Sequence, residues 1–224
     1  LAGRTIAVPM RYSGHNLSIL KLMEDQGLTV RIRIVEMNPP DMAAALNHIL
    51  EQESLDPLPI EQIRPHVSRG GLALTKLAFD AHRDADEIEP LRQRFLDDYR
   101  QNIARHSRLF EGFEEVLKRF HLHDMPWGVV TNKPGWLTEP LMQTLKLDTR
   151  ASCIVSADST ANRKPHPEPM FYACRLSGSI PEQCIYVGDA RRDIEAGQNA
   201  GMKTVIAEYG YIGDWEEMDD WEAD

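Results

Sequence analysis

The stretch CIYVGDARRDIEAGQNAGMKTVIAE, residues 184–208, constrains the fold more than any other part of the chain. Cys184, Ile185, Tyr186 and Val187 form a short apolar, partly β-branched run that reads as a buried strand. Ile194, Ala196, Gly197 and Ala200 then recur at helical spacing until Gly201 stops the helix. Lys203 to Ala207 starts a second strand, so the unit is β-α-β. In open parallel sheets the working residues sit at the carboxyl ends of strands, which is where Asp189 falls, four positions before Asp193.

The same alternation begins near residue 110. A helix through EGFEEVLKRF precedes the strand WGVVT (127–131), and a helix WLTEPLMQTL precedes CIVSA (153–157). A helix PEPMFYACRL, with proline in its first turn, precedes CIYVGD. Short, non-alternating apolar strands separated by helices predict an α/β fold with a Rossmann-like parallel sheet covered on both faces. No G-x-G-x-x-G follows any of these strands, so a dinucleotide cofactor is not indicated. Residues 41–110 read differently: Met42, Leu46, Ile49 and Leu50 share a helical face, GGLALTKLAF supplies a second helix and IEPLRQRFLDDYRQNI a third. The expected organisation is an atypical segment 1–40, a helical cap domain 41–110, a Rossmann-like core 111–213 and an acidic tail 214–224. A helical module placed before the second core strand is expected to act as a lid that excludes water.

Charge and cysteine usage exclude several function classes. With 224 residues and a net charge of -10, and with no dense lysine or arginine cluster, the chain is not expected to bind nucleic acid; a small anion would need a local positive site. Its apolar runs are too short to span a bilayer, and the first thirty residues carry charges where a signal peptide would be apolar. Cys153, Cys174 and Cys184 contain no C-x-x-C pair and read as reduced thiols, which suggests a cytoplasmic location. The pair His121 and His123 reads as solvated surface. Residues 208–224 hold eight acids and no base and read as a solvated segment, with its aromatic residues suggesting partial packing. Oligomeric state is left open between monomer and homodimer.

Three polar groups fall at or near successive strand ends: Thr131 in VVTNK, Lys164 in NRKPHPEP, and Asp189 with Asp193 in VGDARRD. Each alone has a bland reading, as a turn cap, an exposed loop cation and a helix N-cap. Together, a hydroxyl beside free backbone N–H groups, a fixed cation and a carboxylate pair are the parts that hold a phosphoryl group and a divalent cation. They are expected to converge on one cleft at the carboxyl edge of the sheet, beneath the helices of 41–110.

From about Pro40 to Gly213 the sequence resembles the phosphatases of the haloacid dehalogenase superfamily, and within it the phosphoglycolate and N-acetylmuramic acid 6-phosphate phosphatases. The stretches HSRLFEG, WGVVTNKP, RKPHPEP, VGDARRDIEAGQNAG and YGYIG carry the resemblance. It implies a Mg²⁺-dependent hydrolysis of a small phosphorylated metabolite, phosphoglycolate or a sugar phosphate, through an aspartyl-phosphate. It further implies that Thr131 and Asn132 bind the phosphoryl group, Lys164 neutralises its charge, Asp189 holds Mg²⁺ with Asp193 in support, and Arg69 lies in the substrate-facing loop of the cap.

The family's nucleophile is not in the sequence. The family carries D-x-D-G-T about ten residues before a Pro-Asp that corresponds to Pro40-Asp41, whereas this chain reads TVRIRIVEMNPPDM; the only carboxylates in residues 1–40 are Glu24, Asp25 and Glu36. VRIRIVE alternates apolar with basic residues, as a half-exposed edge strand does, and Asp41 is placed to cap a helix. The reversed charge balance of residues 1–40, five basic to three acidic side chains, fits a shifted reading frame or recombined gene end. The absence of an initiator methionine and the ending DDWEAD suggest a fragment. The chain as written is therefore expected to bind phosphate esters while turning over almost none. The alternative reading is a non-catalytic phosphate-ester-binding protein; a receiver-like signalling domain offers no role for residues 41–110.

Overall fold

The structure, a computed structural model, describes residues 39–110, 112–208, 210–212 and 218–224. The expected edge strand VRIRIVE and the rest of 1–38 lie outside the described residues. The chain divides into two compact units, one spanning 37–108 and one containing 109–224.

The first unit is wholly helical among its described residues: α1 (Pro39–Gln52), α2 (Ile60–Ile63), a 3₁₀ turn (Arg64–Arg69), α3 (Gly71–Phe79) and α4 (Ala85–Gln101). Met42, Leu46, Ile49 and Leu50 are all buried, as their shared face requires, together with Leu74, Phe79, Leu91, Phe95 and Tyr99 from α3 and α4. α4 starts where the Glu87 carboxylate reaches back to accept the Asp84 N–H at 3.0 Å. Asp41 departs from the helix-capping role expected of it. Its buried carboxylate accepts the backbone N–H of His106 at 2.8 Å and the Ser107 hydroxyl, so it ties the first turn of α1 to the chain leaving this unit.

The second unit alternates as the sequence predicts: α5 (Phe113–Leu122), β1 (Gly128–Val130), α6 (Gly135–Thr144), β2 (Cys153–Val155), α7 (Glu168–Ser177), β3 (Ile185–Gly188), α8 (Arg191–Asn199) and β4 (Lys203–Ile206). All pairing is parallel, β1 with β2 through Gly128↔Cys153 and β3 with β4 through Ile185↔Lys203. Among the described residues these form two separate two-stranded sheets. Packing nevertheless spans both, because successive side chains of a strand point to opposite faces. Val129, Ile185 and Val187 face a cluster with Phe113, Leu117 and Phe120 of α5, while Val130, Val155 and Tyr186 face one with Met170, Cys174 and Ala196 of α7 and α8. Helices therefore cover both faces of the strands, an α/β arrangement of Rossmann type. No helix among the described residues is long and apolar enough to cross a membrane.

The acidic C-terminal segment is more ordered than a solvated tail. Trp221, in a 3₁₀ turn (Met218–Trp221), is buried. The Gln198 amide of α8 donates to the Trp221 and Glu222 carbonyls, and the Asp224 carboxylate accepts the Thr204 N–H of β4. Its aromatic residue buys enough burial to dock a segment that charge alone would leave in water.

Candidate functional site

Each residue that the sequence singles out in the second unit lies at a strand's carboxyl end or reaches one. Thr131 follows β1 directly; its N–H donates to Val155 O at 2.8 Å, prolonging the β1–β2 ladder, and its Oγ1 accepts the Lys133 N–H at 3.1 Å. The hydroxyl proton is thus left to donate. The Asn132 side chain forms a two-way clamp on the chain at Lys164, with Nδ2 donating to Lys164 O at 3.0 Å and Oδ1 accepting Lys164 N–H at 3.2 Å. The side-chain amide thus orients the loop carrying Lys164. The Asn132 N–H has no acceptor among the described residues.

Lys164 extends into the interior. Its side chain is 1 % exposed and its ammonium has three acceptors: Val130 O at 3.0 Å, the Tyr186 hydroxyl at 2.9 Å and Asp193 Oδ1 at 2.6 Å. An ammonium carries three N–H donors, so these partners match its capacity. Tyr186 Oη also donates to Val130 O at 2.9 Å. The ammonium consequently bridges a carbonyl at the end of β1 to a strand residue of β3 and a helix residue of α8. Its Lys164–Pro165 peptide is cis.

Asp193 therefore serves as the counter-ion of Lys164. It occupies the first turn of α8, where helix N–H groups favour a carboxylate. Gly188 makes this possible: a Cβ there would come within 2.1 Å of Asp193 Cβ, so any larger residue would drive the carboxylate off the ammonium. Asp189, directly after β3, is half-buried and accepts the Tyr211 N–H through Oδ2 at 3.0 Å. Its Oδ1 has no donor among the described residues. A Mg²⁺ ion takes one or two protein carboxylates and completes its shell with water and phosphate oxygens, so Asp189 fits as one such ligand; no group of three acidic, histidine or cysteine side chains placed to hold a metal ion occurs among the described residues.

Two groups escaped the sequence reading. Lys133, in the same TNK turn, is buried, and burial pushes its ammonium down to about 7. Tyr186 was read only as part of a buried strand, although a buried phenol must find polar partners. Asp158 contributes as well, accepting the Gly135 N–H at the start of α6 at 2.9 Å. Arg69 belongs to the other unit, where it is exposed at the end of the 3₁₀ turn beside Gly70. Desolvation, and then the Arg69 charge, holds the neighbouring His66 below its ordinary value.

Residues 39–207 match the family model described as haloacid dehalogenase-like hydrolase. The chain is 39 % identical over 185 residues to an N-acetylmuramic acid 6-phosphate phosphatase of Pseudomonas putida, covering 83 % of each. It is likewise 39 % identical over 186 residues to a phosphoglycolate phosphatase of Xanthomonas campestris pv. campestris, covering 83 % of each. The crystal structure of a predicted phosphoglycolate phosphatase from Haemophilus somnus superposes with a TM-score of 0.75 at 25 % identity, covering 87 % of this chain and 90 % of that one.

Proposed function

The chain belongs to the haloacid dehalogenase-like hydrolase family, and from that premise we propose that its strand-end site is that of a Mg²⁺-dependent phosphatase acting on a small phosphate monoester, phosphoglycolate or a sugar phosphate. The observation that carries this reading is the buried Lys164 ammonium, held at the carboxyl end of β1 by Val130 O, the Tyr186 hydroxyl and Asp193. Positioning and charge are most of what phosphoryl transfer asks of a protein.

The roles divide as follows. The Thr131 hydroxyl and the Asn132 N–H donate to phosphoryl oxygens. Lys164 supplies a fixed positive charge whose donors already have partners, so it acts through its field rather than by wrapping the ligand. Asp189 Oδ1 offers a ligand to Mg²⁺, whose chemistry when bound is to neutralise the phosphoryl oxygens. No D-x-D occurs in residues 1–40, so the sequence as it stands binds the ester and lacks the in-line carboxylate that would attack phosphorus.

The test is an assay with p-nitrophenyl phosphate and phosphoglycolate in Mg²⁺, run on this chain and on a variant whose residues 1–40 are replaced by a strand ending in D-x-D-G-T. Phosphate binding by both and turnover by the variant alone are expected. No turnover by a folded variant would sink the phosphatase reading. Robust turnover by the unaltered chain, abolished by Asp189→Asn, would show that a carboxylate such as Glu36 or Asp41 reaches the phosphorus.

A further inference from the structure

All three cysteines line one cavity, together with Val130, Met170, Tyr186 and Met202, on the α7 side of the strands. Its volume is about 50 Å³, enough for a few water-sized molecules and therefore for hydrogen peroxide. Two of the thiols touch: Cys174 Sγ of α7 and Cys184 Sγ, just before β3, are 3.8 Å apart. Cys184 also donates to Ile180 O at 3.2 Å. Cys153, half-buried at the start of β2, lines the same space.

We infer that Cys174 and Cys184 form a reversible dithiol–disulfide couple, oxidised by a peroxide that enters this cavity. The step balances as two reactions. One thiolate attacks the peroxide O–O bond, giving a sulfenic acid and releasing hydroxide; the second thiolate then attacks that sulfur, forms the S–S bond and expels the second oxygen as hydroxide, so with the two thiol protons two waters leave. A buried thiol is ordinarily inert. This pair differs in that the resolving sulfur is already in contact, so disulfide formation is intramolecular and outruns further oxidation or capture by an external thiol.

Closing the sulfurs to the bonded separation of about 2.05 Å draws the last turn of α7 toward the start of β3. Tyr186 lies two residues along that strand on the same face and holds both Lys164 and Val130 O. The oxidised state therefore acts on the strand that supports the ammonium, through a covalent tie around residues 175–183.

The experiment uses the native chain, treated with hydrogen peroxide, unfolded, alkylated and digested with trypsin without reduction. Trypsin leaves Cys174 in residues 164–175 and Cys184 in residues 176–191. The expected product is these two peptides joined, with Cys153 alkylated, in about tenfold excess over the other two pairings and reversed by dithiothreitol. The bridge should survive Cys153→Ser and vanish in Cys184→Ser. In the chain oxidised while unfolded in urea, the three pairings should appear together, which shows that selectivity comes from the fold. A bridge to Cys153, full alkylation of Cys174 and Cys184 after oxidation, or equal selectivity in the unfolded chain would each overturn the inference.

Discussion

The two strand pairs of the second unit are held by different means. β3–β4 is a four-residue ladder, closed on one side by α8 and on the other by the C-terminal segment, whose Asp224 accepts the Thr204 N–H. α8 lies close on it because Gly197 has no side chain: a Cβ there would meet Thr204 Cγ2 at 2.6 Å and Tyr186 Cβ at 3.1 Å. β1–β2 is a three-residue ladder prolonged by Thr131. Among the described residues no backbone ladder joins the pairs; apolar packing joins them on both faces, and one polar seam, Val130 O with Lys164, Tyr186 and Asp193, joins them at the strand ends. Backbone pairing thus builds each half, and the site depends on side chains that cross from one half to the other.

Removing the crossing cation breaks that comparison most severely. Lys164→Met leaves the Asp193 carboxylate, 2 % exposed, without its partner, and deprives Val130 O of a donor. Breaking a buried pair from one side costs about 3–5 kcal/mol, whereas replacing both charges with apolar groups is often near neutral. Urea unfolding should therefore show Lys164→Met far less stable than Lys164→Met/Asp193→Leu. Equal losses in the two variants would mean that the seam is not an ion pair in energetic terms.

A pH series sharpens the contrast on the β1 side. Burial pushes Lys133 down to about 7 from its ordinary 10.5. Between those values the unfolded chain binds a proton that the folded chain does not, so stability rises with pH through this window. The gain between pH 7.5 and 9 should be on the order of 2 kcal/mol. Lys133→Met should remove it, seen as urea midpoints that no longer depend on pH in this range; a slope unchanged by the substitution would assign it to another group.

Much of this arrangement was legible in the sequence because it is local. Apolar runs ending in Thr131 and Asp189, and the helix ending at Gly201, follow from spacing and turn chemistry within a few residues. What the sequence concealed is non-local. Asp193 meets Lys164 from 29 positions away, Tyr186 meets Val130 from 56, and Asp41 meets Ser107 from 66. No periodicity encodes such pairings, and a charged residue reads the same whether its partner is water or a buried ion. The docked tail was legible in part for the same reason: eight acids announce solvent and the aromatic residues announce packing, but that Trp221 is the one that packs is a non-local outcome.

On the β3 side, Gly188→Ala tests how closely the seam is packed. The added methyl would have to displace Asp193, whose Cβ and carboxyl carbon lie 2.1 and 2.6 Å from its position. Overpacking of this kind typically costs about 1–3 kcal/mol. The closest clash is with the Asp193 Cβ, which alanine would keep and only glycine removes, so Gly188→Ala/Asp193→Gly should lie well below the sum of the two single losses. Strict additivity would place the strain elsewhere on β3.

The smallest effect concerns the C-terminal closure of β4. Burial pushes the Asp224 carboxyl up, but Lys203 and the Thr204 N–H outweigh it and hold the group below its ordinary value. A carboxyl depressed on folding contributes stability that is present above its unfolded value, near 3.9, and is lost as pH falls through the lower folded value. The Lys203–Asp224 pair is exposed, at 51 % and 37 % of the two side chains, so its share is that of a surface ion pair, below about 1 kcal/mol. Asp224→Asn should therefore leave the urea midpoint within that margin at neutral pH and flatten its fall below pH 4. The same substitution should leave Lys164 and Thr131 untouched, because the tail braces the outer edge of β3–β4 while the seam binds that pair to β1. An acid transition as steep in Asp224→Asn as in the parent chain would mean that other carboxylates hold the closure, and that Trp221 burial alone keeps the tail in place.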